Sequence, residues 1–108
     1  MSGREQRRYP RLEMYSAVML VQGEQAYLTE VSNVSLGGSS VARPNHFKAL
    51  EGDMMTLFFV FDQDTILSIQ ARVAHVQQAH IGFQFALGQE ARAAELLEES
   101  RHWDKFAS

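Results

Sequence analysis

A chain of 108 residues, 45% of them hydrophobic and 21% charged, has room for one hydrophobic core and not for two, and lies far from compositions that stay disordered. It has no cysteine, which excludes disulfides and thiolate metal sites, and its net charge of -3 argues against general binding of DNA or RNA, which needs a broad basic surface. The longest strongly apolar run, Met54 to Phe61, is too short for a membrane-spanning helix of about 20 residues, and the polar amino-terminal stretch lacks a secretory leader, so the expectation is a soluble, cytoplasmic protein without membrane insertion.

Residues 1 to 11 form the first segment. Arg4, Arg7, Arg8 and Arg11 against Glu5 alone give it +3, which leaves -6 for the rest of the chain. A short cationic arm on an acidic body suits a compact anionic partner, and its polarity makes it a flexible arm; a solvated tail is the plainer alternative. Residues 12 to 108 are read as one domain. Its first candidate strand is Leu12 to Val21, with Leu12, Met14, Val18 and Leu20 on one side. Ala26 to Val34 is the second, and after Gly37 and Gly38 a short third strand, Ser39 to Ala42, ends before Pro44. Asn45 to Gly52 is a loop.

Met54 to Phe61 is apolar at both alternating sets of positions and is expected to be covered on both faces. Asp62, Gln63 and Asp64 turn the chain into Ile66 to Val76, where Leu67, Ile69, Ala71 and Val73 alternate with Ser68, Gln70 and Arg72, so the two strands form a hairpin. The last strand is Ile81 to Leu87. From Gly88 the apolar period lengthens to about 3.6, with Ala93, Leu96, Leu97 and Trp103 on one stripe of an amphipathic helix. Six strands and a terminal helix predict a mainly β fold, a small antiparallel barrel whose helix covers an opening or a face. The far end of the helix, with Trp103 and Phe106, extends beyond what a small barrel must cover and is a candidate contact for a second subunit or an effector, so a homo-oligomer stays open.

Two short motifs carry chemistry. Arg7 to Arg11 has the spacing RxxxR, and Asn33, Val34, Ser35, Leu36, Gly37 and Gly38 have the form (D/N)xSxxG at the end of a strand. Each alone is weak, since Asn, Ser and Gly also dominate ordinary turns. In this order and context they resemble the PilZ family, whose signature is RxxxR followed by (D/N)xSxxG, and the segment Ile81 to Phe85 is similar to that family's last strand. The resemblance covers about residues 4 to 100 and implies a six-stranded PilZ-like barrel with a C-terminal helix that binds cyclic dimeric GMP, a bacterial second messenger with two guanines and two phosphodiesters.

The resemblance implies that Arg7 and Arg11 grip guanine edges and phosphates, with Arg8 as an auxiliary contact. Residue chemistry fits: the guanidinium fork makes paired hydrogen bonds to guanine O6 and N7, stacks on bases and never loses its charge. Pro10 stiffens the arm. On the barrel, Asn33 and Ser35 supply short polar side chains, the backbone N–H groups of the turn face a phosphate, and Gly37 and Gly38 complete the site, Gly38 allowing close approach because it lacks a Cβ. Asn33 departs from the aspartate alternative by offering one acceptor and one donor where a carboxylate offers two acceptors to guanine.

Other constellations are set aside. His46, His75, His80 and His102 show no ligand spacing, and Asp53, Asp62 and Asp64 flank a strand and its turn, where aspartate is common. There is no GxSxG elbow, no GxxxxGK[ST] loop and no nucleophile with an identifiable base, so the chain is expected not to be an enzyme and to need no cofactor. The remaining choice is between a nucleotide receptor that signals to an effector protein and a protein-interaction adaptor of the same fold that binds no nucleotide.

Overall fold

The structure, a computed structural model, describes the backbone of residues 17–107 and the side chains of residues 17–102. The arm with Arg7, Arg8 and Arg11, the start of the first expected strand (residues 12–16), and the side chains of Trp103 and Phe106 therefore lie outside the described residues. Six strands follow one another: β1 (Ala17–Gln22), β2 (Gln25–Val34), β3 (Gly38–Ala42), β4 (Met54–Asp62), β5 (Thr65–Val76) and β6 (His80–Phe85), and then helix α1 (Glu90–Ala107). They close into an antiparallel barrel in the order β1-β2-β3-β6-β5-β4, as the strand count predicts.

Period-two alternation makes the interior. Val18 and Leu20 of β1, Val41 of β3, Met55, Leu57, Phe59 and Phe61 of β4, Ile69, Ala71 and Val73 of β5, and Ile81 and Phe83 of β6 are all buried. Tyr27, Val31 and Val34 of β2 pack against them half-buried. The hairpins follow from local chemistry. Gly23, at φ 57°, occupies the left-handed region in the tight turn between Gln22 and Gln25, and Asp62 Oδ1 accepts the Asp64 N–H at 2.8 Å to fold the β4–β5 turn.

Two elements complete the core. The segment between β3 and β4 inserts Phe47 and Ala49, with the Phe47 ring 5.1 Å from that of Tyr27, whose hydroxyl accepts the Lys48 N–H. Asp53 fastens the end of this segment. Its carboxylate accepts the Leu50 N–H at 2.9 Å, and that bond, with a second from the Gln22 side chain, holds its carboxyl below the usual aspartate value. Helix α1 buries Ala93 and Leu96 and packs on β5, where Gln89 Oε1 accepts the Gln70 N–H and Arg92 donates to the Ser68 carbonyl.

Three expectations are corrected. Strand β4 is covered on one face only: Met54 is exposed and Phe58 and Val60 are half-buried, because a barrel strand has a single interior side. Strand β6 stops at Phe85, which leaves Leu87 96% exposed in the connection to the helix. That helix begins at Glu90, after Gly88 turns the chain at φ 85°. Among the described residues no helix is long and apolar enough to cross a membrane, and no group of three His, Cys, Asp or Glu could hold a metal ion.

Candidate functional site

The NxSxxG segment connects β2 to β3, and its shape is set by Ser35. The Ser35 N–H donates to the Gly38 carbonyl at 2.8 Å and its hydroxyl donates to the same oxygen at 3.3 Å, while Oγ accepts the N–H groups of Gly37 and Gly38, each at 3.2 Å. A hydroxyl has one donor and two acceptor sites, and all three are engaged inside the turn. Two further bonds fix the turn to the barrel: the buried Ser39 hydroxyl donates to the Asn33 carbonyl at 2.8 Å, and the Phe85 N–H donates to the Gly37 carbonyl at 2.9 Å.

This geometry changes the roles read from the sequence. The N–H groups of Gly37 and Gly38, expected to face a phosphate, face Ser35 Oγ instead. A Cβ on Gly38 would collide with the Phe83 carbonyl of the neighbouring strand, so the glycine is required first by the close approach of β6. Gly37 differs: nothing lies within 4 Å of where its Cβ would stand, and its φ is not positive. The open surface of the turn is at Gly37, and Asn33 stands beside it, exposed, with no described residue hydrogen-bonded to its side-chain amide.

Beside the turn runs an open groove of about 320 Å³ lined by the turn, by Ser39 and Ser40 of β3, and by Ala74, His75, Gly82 and Phe83 of β5 and β6. It brings Asn33, Ser35, Gly37 and Gly38 together; Arg7, Arg8 and Arg11 lie outside the described residues. No carboxylate is among the lining residues named.

Strand register explains the groove. Asn33 pairs with Ser40, Ser40 with Gly82, and Gly82 with His75, so four adjacent strands contribute one row of outward positions with small residues at its centre. Both ends of the row depend on a bulge. The β2–β3 register shifts between Val31 and Asn33, and the β5–β6 register between Val73 and His75. Each extra residue, Ser32 or Ala74, puts two consecutive residues on the outside, and a side chain that alternation would send into the core stands on the surface. Sequence reading missed Ser40, Ala74, His75 and Gly82. The usable signal was the polar His75 at a position where the alternation of Ile69, Ala71 and Val73 demands an apolar residue.

Comparison with known proteins agrees with this fold. The family model of the PilZ domain matches residues 5–100. No curated protein sequence matches the chain. Among solved structures, the PilZ domain of CeSA from a cellulose-synthesizing bacterium superposes with a TM-score of 0.65 at 13% identity, over 82% of this chain and 91% of that one. The inhibitor of motility MotI/DgrA of Bacillus subtilis does so with a TM-score of 0.61 at 14% identity, over 85% of this chain and 47% of that one. A Legionella protein, Lpg0364, gives 0.53 at 14% identity, over 84% and 90%. With the family model spanning the whole barrel and the first part of the helix, the chain belongs to the PilZ domain family, a family of receptor and adaptor domains in cyclic di-GMP signalling.

Proposed function

We propose that this PilZ domain is a cyclic di-GMP receptor that binds the nucleotide along the groove beside the NxSxxG turn, clamps it with Arg7 and Arg11, and passes the signal to an effector protein through the surface so formed. The observation that carries the reading is the groove itself. Its turn is fixed by internal bonds, it presents an Asn33 amide that no described residue engages, and it has no carboxylate among its described lining residues to repel an anion. Among the described residues its lining supplies no arginine or lysine, and the RxxxR segment has the cations that a ligand with two phosphodiesters requires. The small Ser40 near its centre leaves a planar base room to approach the strands.

In this mechanism Ser35 acts mainly by holding the turn in its ligand-ready shape, and Gly37 lets the nucleotide approach the backbone. Arg8 is an auxiliary contact. Binding is the whole chemistry, with no bond made or broken, and the output is a conformational change read by a partner.

Calorimetry with cyclic di-GMP, GTP and cyclic GMP tests the reading. Cyclic di-GMP alone is expected to give a saturating isotherm, and Arg7→Ala and Arg11→Ala are each expected to weaken it by about 1 to 3 kcal/mol, the value of a bidentate guanine contact, with unchanged melting of the barrel. No heat with cyclic di-GMP would instead support the nucleotide-free adaptor.

A further inference from the structure

The row that pairs Asn33, Ser40, Gly82 and His75 spans three strand spacings, about 14 Å, with Asn33 at one end and His75 at the other. His75 owes its place to the bulge at Ala74. Without that residue's displacement, the alternation through Ile69, Ala71 and Val73 would carry position 75 into the core; instead it pairs with Gly82, between the buried Ile81 and Phe83, and is exposed. Its ring leans over the neighbouring strand. A Cβ on Gly82 would collide with Cε1 and Nε2 of the imidazole, so the absence of that Cβ is what lets the ring lie over β6 beside the groove it helps to line.

We propose that His75 is a ligand-contacting residue of this groove, whose protonated imidazole takes a phosphate of the anionic nucleotide at the end of the trough opposite Asn33. The inference rests on the nucleotide-binding reading and adds to it a contact from a strand outside both sequence motifs. His75 is the titratable group among the groove's named lining residues. A neutral imidazole has one N–H and no charge, whereas the protonated ring donates from both nitrogens and carries a positive charge. A phosphate at the ring favours the charged form, so binding takes up a proton and affinity rises as pH falls through the range where histidines titrate.

The surroundings are compatible with such a cation. On β6, His80 is the next outward position beyond Gly82 and pairs with Ala42 of β3. On β5, Arg72 pairs with Gln84 on the opposite side of the bulge. Arg43, following β3, donates to the Gln77 carbonyl. Asp53, in the segment before β4, has its carboxylate bonded to the Leu50 N–H. On β2, Glu30 pairs with Ala17 of β1, away from the row, and from α1 Arg92 binds Ser68 toward the other end of β5.

The test is calorimetric titration of the full chain with cyclic di-GMP at about pH 6, 7 and 8, in buffers of different ionisation enthalpy, for the wild type, His75→Gln and His80→Gln. The wild type and His80→Gln are expected to bind roughly threefold to tenfold more tightly at the lowest pH than at the highest, with net proton uptake. In His75→Gln, which keeps a polar side chain of similar length at an exposed position, the pH dependence is expected to vanish. A pH dependence that survives in His75→Gln overturns the role of His75 and leaves the receptor reading standing. Failure of the wild type to bind at every pH overturns both.

Discussion

At the scale of single residues, three glycines of one site stand in three different surroundings, and each predicts a different result. A Cβ at Gly38 meets the Phe83 carbonyl, which is held in the β3–β6 ladder and has little room to move. Gly38→Ala is therefore expected to destabilise the barrel by about 1 to 3 kcal/mol, the range for overpacking. A Cβ at Gly37 meets nothing, so Gly37→Ala is expected to leave stability within about 0.5 kcal/mol, as for most surface changes. At Gly82 the obstacle is the tip of the His75 side chain, which can swing aside, so Gly82→Ala is expected to cost less stability than Gly38→Ala. Chemical denaturation of the three variants checks the order. Loss of nucleotide affinity in a Gly38 variant would thus report on the fold, and a bulky residue at Gly37 is the cleaner probe of how closely the ligand approaches.

At the scale of elements, α1 stabilises the barrel through few side chains: Ala93 and Leu96 are buried, and the residues beyond Leu97 are exposed or half-buried as far as His102. Leu96→Ala is expected to cost about 2 to 5 kcal/mol in a denaturant titration, as truncations of buried leucines do. The surface ion pair of Arg101 with Glu98, at 3.3 Å and with both side chains at least 70% exposed, contributes little by comparison. Strand and helix positions were legible in the sequence because each has a period: two in β5, about 3.6 in α1. Strand count and family resemblance gave a closed barrel but not the pairings that close it, β3 with β6 and β1 with β4, since nothing local in Gly38–Ala42 names His80–Phe85 as its partner. The bulges at Ser32 and Ala74 were not legible, because a bulge is a property of two strands in register and leaves only a break in the alternation of one. His75 was therefore passed over as an ordinary histidine, while Asn33, Ser35 and the glycines were found through their compact motif. The same limit hid the engagement of Ser35, whose three bonds are visible only once the turn is folded.

At the scale of the whole molecule, the proposed site has two unlike halves, and the contrast yields a prediction about where binding is felt. The barrel half is tied together before any ligand arrives: the turn is bonded through Ser35, Ser39 and Phe85, and the strands on either side are paired into a closed ladder. Ligand contact can add little protection to amides already hydrogen-bonded there. The RxxxR half is a segment of local charge +3 in which Tyr9 is the sole candidate core residue, so its partners must come mainly from the anionic ligand. Ordering such a segment costs on the order of 1 to 2 kcal/mol per residue in backbone entropy, and charge-assisted bonds to phosphates and guanine edges are the terms large enough to offset it. Saturating cyclic di-GMP is accordingly expected to slow hydrogen exchange at amides from about Arg4 to Leu12 while leaving the strand ladders nearly unchanged, and the affinity is expected to fall as salt rises because the contacts are between charges. Exchange in that segment that is equally fast with and without the nucleotide, or protection concentrated on α1, would mean that the arginines do not clamp the ligand even where the nucleotide binds, and the signal would then have to leave the domain through the barrel and its helix.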